Sequence, residues 1–285
     1  MPRRAAAAIL TAGFGLVVAS CNGTTGNELI SFSAYARGAP GAAAPFDAGD
    51  YSIQLTRAKM LLGAVYVDQA PIGNQAGGPV CIAPDLFAAQ VPGPVEADLL
   101  SDQPQSFTVY GQGTLDTGLS WQIWLTDGDL NEVNRSHVVD LQGVATRKSD
   151  GLAVSFAAIV TINDNRLVAP VDPADPGANP ICKKRIIDIG GIDTTFFDGG
   201  TMTVTVDPRQ WFQIALDFAS LPAVTDDNCL LGDTNVPVDP GQDFGTATVC
   251  IPNTNYASGA GALAGSELFT SILGGNSATY SLSFK

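Results

Sequence analysis

The side chains best suited to chemistry lie in three short acidic runs. Asp127-Gly-Asp129-Leu-Asn131-Glu132 sets oxygen ligands at alternate positions, as calcium loops do. It departs from the EF-hand pattern twice: Glu132 stands where glycine should be, and Val138 where the bidentate glutamate should be. Asp127, Asp129 and Asn131 are therefore the candidate metal ligands, and calcium is the one cofactor the sequence suggests. The competing reading is a turn whose Asp and Asn side chains hold the backbone. Asn163-Asp164-Asn165 and Asp226-Asp227-Asn228 repeat the theme. Two loop carboxylates about 5–10 Å apart, flanked by Trp121 or Trp124, could hydrolyse a glycosidic bond. His137 is the only histidine, and a Ser-His-Asp triad would have to use it. No G-x-S-x-G elbow and no S-x-x-K occurs. Gly259-Ala-Gly261 with Gly265 fails the dinucleotide-binding spacing. No catalytic residue is assigned, and a non-enzymatic role is favoured.

The cysteines carry clearer chemistry. Arg3 and Arg4 give the chain a positive start, and Ala5 to Val18 is an uncharged, largely apolar run of about 14 residues. That falls short of the roughly 20 a membrane-spanning helix needs, and it fits the apolar core of a secretory signal. Small residues at its end lead straight into Cys21. Val18-Ala19-Ser20-Cys21, approached by Leu16 and Val17, resembles the lipobox of bacterial lipoproteins. The resemblance covers the first 21 residues. It implies a diacylglyceryl thioether on Cys21, cleavage before it, and a lipid anchor of two or three acyl chains. A single chain would hold a membrane only marginally. Asn22 follows, and in the enteric sorting rule the absence of Asp there directs the protein to the outer membrane.

Lipidation of Cys21 leaves Cys81, Cys182, Cys229 and Cys250, an even number in an oxidising compartment. Four cysteines allow three pairings. Cys229–Cys250 is expected as a local staple, and Cys81–Cys182 follows by elimination. There is no C-x-x-C pair and no histidine cluster to build a zinc shell.

The chain has 14 basic and 28 acidic side chains and a formal net charge of −14. The leader holds two of the arginines and no acid, so the remainder is more acidic still. Such a chain repels nucleic acid and anionic head groups. Its 31 glycines and 18 prolines suit a turn-rich β protein rather than a helical bundle.

Those residues must be positioned by strands. Leu29 to Tyr35 alternates, with Leu29, Ser31, Ser33 and Tyr35 on one face and Ile30, Phe32 and Ala34 on the other. Tyr51 to Thr56 has the same period, Met60 to Val67 continues it, and Gly63 marks a bend or bulge. Trp121 to Thr126 echoes Tyr51 to Thr56. His137 to Ala145 and Leu152 to Ile162 flank Asp150-Gly151, a hairpin signal. Ser106 to Tyr110, Ile186 to Ile189, Met202 to Val206 and Tyr280 to Phe284 complete the strands. Helical turns are expected near Asp85–Ala89, Glu96–Leu100, Ser266–Leu273 and after Asp207-Pro208, where an N-cap precedes proline. The long loops are 68–105, 170–180 and 225–248.

Nine to eleven strands with mostly antiparallel connections predict an all-β protein: an antiparallel β-sandwich with long loops and two or three short helices. Residues 1–20 read as signal peptide, 21–28 as lipidated tether and 29–285 as one sandwich domain. The expected function is binding, adhesion or envelope structure at the outer membrane, periplasmic or surface-exposed. The membrane is met through the N-terminal lipid, a glycan or protein is the ligand, and nucleic acid is excluded. A glycan hydrolase using loop carboxylates and a calcium-dependent binding module are the alternatives.

Overall fold

The computed structural model describes residues 28–69, 87–125, 137–161, 186–213, 216–225, 244–252 and 278–285, with Cys229, Leu268, Ser271 and Ile272. Among them the chain forms two sheets packed as a sandwich that verges on a barrel. The first has nine strands: β1 (Leu29–Gly38), β4 (Ala64–Asp68), β5 (Phe87–Val91), β7 (Gln105–Ser106), β8 (Gly111–Thr114), β9 (Thr117–Trp124), β12 (Ile186–Thr195), β13 (Thr201–Val206) and β15 (Tyr280–Phe284). Their order is β12-β9-β4-β5-β8-β1-β13-β15, with β7 also beside β1. The second has six strands: β2 (Phe46–Ala48), β3 (Tyr51–Leu62), β6 (Val95–Asp98), β10 (His137–Arg147), β11 (Ala153–Thr161) and β14 (Val249–Ile251). Its order is β14-β11-β10-β3-β2, with β6 also beside β3.

The expected β-sandwich is present, and its sheets are mixed. β1 pairs with β13 in parallel, and so does β11 with β14. Parallel neighbours need a crossover rather than a hairpin, and here β1 and β13 are separated by most of the chain. Spacing of strands along the sequence carries no signal of such a partnership.

Period-2 alternation does its expected work. In β1, Ile30, Phe32, Ala34 and Ala36 are buried. Ala34 and Ala36 pair with Met202 and Val204 of β13, which in turn face Phe284 and Leu282 of β15. One apolar cluster draws on both sheets. Each fully buried Phe or Leu in it contributes about 1.5–3 kcal/mol. The Tyr51 and Trp121 patterns meet in this core from opposite sides. Tyr51, Ile53 and Leu55 enter from the six-stranded sheet, and Trp121, Ile123 and Leu125 from the nine-stranded one or its end.

Gly63 is the bend expected. The strand before it, β3, lies in one sheet, and the strand after it, β4, lies in the other. The Gly63 N–H donates to the Trp124 carbonyl at 2.7 Å, which fixes the transfer point. Within β3, register slips opposite Gln142 and Gly143. The slip leaves Thr56 without a partner in β10, so the inward positions shift parity from Tyr51/Ile53/Leu55 to Ala58/Met60/Leu62 while the same face stays in the core.

The two ends of the nine-stranded sheet approach each other. Phe196, just past β12, lies 4.7 Å from Phe284 of β15 between ring centroids, and Phe197 lies 5.0 Å from it. Phe32 joins both at 5.8 and 5.2 Å. The aromatic cluster closes the seam where a free edge would otherwise stand.

Several local expectations need correction. The sequence predicts helical turns at Asp85–Ala89 and Glu96–Leu100, but β5 and β6 are strands. Val95, Ala97 and Leu99 are buried while Glu96 and Asp98 are exposed, a period of two in which the alanine supplies bulk rather than helicity. Ser106–Tyr110 is not one strand: pairing stops at Ser106, and Val109 and Tyr110 are exposed. Gly111–Thr114 is a strand with no apolar signature. Gly111 lies against the Phe32 ring, where a Cβ would collide with it. Three other local signals hold where they are described. Gly151 adopts φ 73° in the turn between β10 and β11, and its N–H donates to the Arg147 carbonyl. Asp207 accepts from the Arg209 N–H and caps a 3₁₀ turn at Pro208–Phe212 that buries Trp211 and Phe212. Leu268 and Ile272 are helical and buried. No helix among the described residues is long and apolar enough to cross a membrane.

Candidate functional site

Most residues singled out for chemistry fall outside the described residues: Cys21, Cys81, Cys182, Asp127, Asp129, Asn131, the acidic runs at 163–165 and 226–228, and both glycines of the 259–261 stretch. The described ones are informative. Cys229 and Cys250 form the expected disulfide, with Cα atoms 5.6 Å apart. His137 opens β10 opposite Thr161. Trp121 is buried in the core. Trp124 points the other way, onto the outer face of the nine-stranded sheet, with its ring 4.4 Å from Tyr66.

The same outer face has an open half, and there the strand chemistry assembles a site. Alternation places Ser33, Tyr35 and Arg37 of β1 away from the core. Register sets them beside Thr201, Thr203 and Thr205 of β13. Thr203 and Thr205 face Ser283 and Ser281 of β15, and Thr201 exchanges backbone hydrogen bonds with Lys285. On the other side of β1, Ser106 lies opposite Tyr35. One row therefore reads Ser106-Tyr35-Thr203-Ser283 across four strands, with parallel rows about 7 Å above and below. The outward side chains are hydroxyls, one tyrosine and two cations.

A groove of about 210 Å³ runs along β1 at this face, and Ser33, Tyr35, Ser106, Thr108, Val109 and Tyr110 line it. Its outer wall is held by the backbone. Phe107 is buried and its N–H donates to the Ala34 carbonyl at 3.0 Å. The Thr108 N–H donates to Pro94 at 3.1 Å. Gly93 allows that approach, because a Cβ there would sit 2.7 Å from Thr108 Oγ1 and from a Val109 methyl. Tyr110 stands at the rim, 72% exposed. An aromatic ring that open has one face free to stack.

The charge pattern is local to this face. Seven lysines and arginines are described, and five of them pair with carboxylates: Arg57 with Asp140, Lys59 with Glu96, Arg147 with Asp150, Lys148 with Asp47 and Arg209 with Asp207. Arg37 and Lys285 are the two with no side-chain carboxylate partner among the described residues, and both belong to the hydroxyl face. The Arg37 Nε donates to Thr205 Oγ1 at 3.1 Å, which lays the guanidinium over β13. Asp198 accepts from the Ser31 N–H at 2.9 Å, at the end of β1 away from Arg37. At Arg37's own end of β1, Asp207 is paired with Arg209.

Around β4 and β9 this outer face is closed. Asp188, Gln122, Tyr66, Gln90 and Gln112 are aligned across β12, β9, β4, β5 and β8. Gln122 is 5% exposed and accepts from the Trp124 indole N–H at 3.2 Å. Asp68 and Ser120, one row over, are buried as well. Burial pushes the Tyr66 phenol above its ordinary pKa. Around β4 and β9 the polar side chains Gln122, Tyr66, Asp68 and Ser120 are therefore interior groups, whereas Gln112 at the β8 end of the row is exposed. No group of three or more histidine, cysteine, aspartate or glutamate side chains among the described residues could hold a metal ion.

Alternation in the sequence revealed the outward Ser31, Ser33 and Tyr35, and likewise Ser281 and Ser283. It did not reveal Tyr110, which lies outside any strand, or Arg37, or the adjacency of the three strands. Compared with known protein families, curated proteins and solved structures, the chain matches none.

Proposed function

We propose that the protein is an outer-membrane-anchored lipoprotein acting as a non-enzymatic binding module, held to the membrane through Cys21 and engaging its ligand at the hydroxyl face. One observation carries the binding part: the open groove along β1, lined by serines, a threonine and two tyrosines, on a sheet whose polar side chains around β4 and β9 are buried. Hydroxyls donate and accept without a charge that must be neutralised, so such a groove suits reversible recognition. The lipobox-like end of the leader supports the anchoring part. Seven residues lie between Cys21 and Leu29, a span of at most about 25 Å. The sandwich would therefore work close to the lipid surface.

The anchoring is tested by expressing the full chain in a Gram-negative host with radiolabelled palmitate. Label should enter the protein and sediment with outer membranes, and Cys21→Ser should lose both. Mass spectrometry that finds an unmodified thiol at Cys21, or an intact leader, overturns this part.

A further inference from the structure

We infer that the hydroxyl face is a binding site for an acidic polysaccharide, a chain of sugar rings bearing carboxylates. This deepens the binding-module reading and rests on it for the location of the ligand. Three observations converge. The face is built of neutral donors and acceptors in register: Ser106, Tyr35, Thr203 and Ser283 in one row, Ser33 and Thr201 in the next, Thr205 and Ser281 beyond. Sugar hydroxyls match such a lattice because each partner can both give and accept a proton.

The groove beside it ends at Tyr110, whose ring is the most exposed of the large apolar side chains described. The C–H face of a pyranose is apolar and weakly positive, and it packs on the negative face of an aromatic ring.

Charge then selects among sugars. Across a chain with twice as many acids as bases, the described cations are otherwise paired with side-chain carboxylates, and the two that are not both lie on this face. Arg37 is held by Thr205 with its terminal nitrogens directed at no carboxylate among the described residues. A guanidinium in that state is set for a carboxylate from outside. The net charge of the protein opposes an acidic chain only weakly at contact range. Screening at physiological salt acts over about 8 Å, so the local cations dominate there.

The test uses the purified full chain in detergent, titrated calorimetrically with polygalacturonate, with neutral dextran, and with inorganic polyphosphate as a polyanion without sugar rings. Polygalacturonate should bind, and the other two should not. Arg37→Gln should weaken binding about tenfold, the scale of one charge-assisted hydrogen bond. Tyr110→Ala should weaken it about fivefold, with the melting temperature unchanged in both. Equal binding of dextran would overturn the role of charge. Equal binding of polyphosphate would overturn sugar recognition. Absence of polygalacturonate binding, or binding indifferent to both substitutions, would overturn the site. The Cys21→Ser protein serves as a control in the same titration. Lipid anchoring and glycan binding can therefore fail separately and be told apart.

Discussion

The two halves of one sheet surface make the most useful comparison in this molecule. Both halves of the outer face of the nine-stranded sheet are polar, and both are aligned in cross-strand rows. Around β4 and β9 the row holds Gln122 and Tyr66, with Asp68 and Ser120 beside it, all buried. Around β1, β13 and β15 the rows hold serine, threonine, Tyr35 and Arg37, and they meet solvent. Polar composition alone would give both halves the same role. Burial separates them. A buried polar group must be satisfied internally or it costs about 1–3 kcal/mol, so the closed half is committed to its own hydrogen bonds. The open half keeps its donors and acceptors for something else.

The comparison can be broken first at Trp124. Trp124→Ala removes a large side chain packed 4.4 Å from Tyr66 in the closed half. Stability should fall by about 3–5 kcal/mol in urea unfolding. A loss under about 1 kcal/mol would mean that the closed half is not a second packed region. Gln122→Ala is gentler. It strands the Trp124 indole N–H, which Gln122 accepts at 3.2 Å. About 1–3 kcal/mol should be lost in the same assay. Neither change should alter polygalacturonate binding by the folded protein. A parallel loss of binding would merge the two halves.

Asp150 offers a calibrated exposed contact in the other sheet. Its carboxylate takes two hydrogen bonds from Arg147, at 3.0 and 2.6 Å. That pairing holds its pKa at about 2, below the ordinary carboxylate value. A depressed pKa favours the folded state where the acid is ionised in both states. The contribution is present above the unfolded value and is lost as pH falls through about 2. Melting temperature should therefore drop over that acidic window, and Asp150→Asn should flatten that part of the curve. An exposed pair is worth little, so the drop is small. The smallest stability effect belongs to the open half. Thr203→Val keeps shape and removes one hydroxyl from the middle of the lattice. Unfolding free energy should change by less than about 0.5 kcal/mol, while glycan binding weakens. A large loss of stability would place Thr203 with the buried groups instead.

The site was half legible beforehand. Alternation sets Ser31, Ser33 and Tyr35 on one face, and in the last strand it does the same for Ser281 and Ser283. Their neighbours were not visible. Nothing near Thr203 in the sequence points to Tyr35, because a parallel pairing across more than 160 residues leaves no local mark. Alternation puts Tyr110 in a strand, but that strand ends at Ser106, and the exposure of Tyr110 follows from the chain leaving β1 to lie along Pro94. The helical turns expected near Glu96 became β6 because Val95, Ala97 and Leu99 had a sheet face to fill against β3. Isolated tetrapeptides cannot report that, since the deciding energy lies in the partner.

The sequence alone determined several features governed by neighbours along the chain. It gave the all-β class through period two, the bend at Gly63, the Asp150-Gly151 turn, the Asp207 cap and the Cys229–Cys250 staple. Each of these is a steric or hydrogen-bond preference spanning a few residues, or a short covalent loop. Tertiary structure decided which strands are neighbours, and with that which polar faces are sealed and which are open. That choice belongs to packing: burial depends on what arrives from distant parts of the chain.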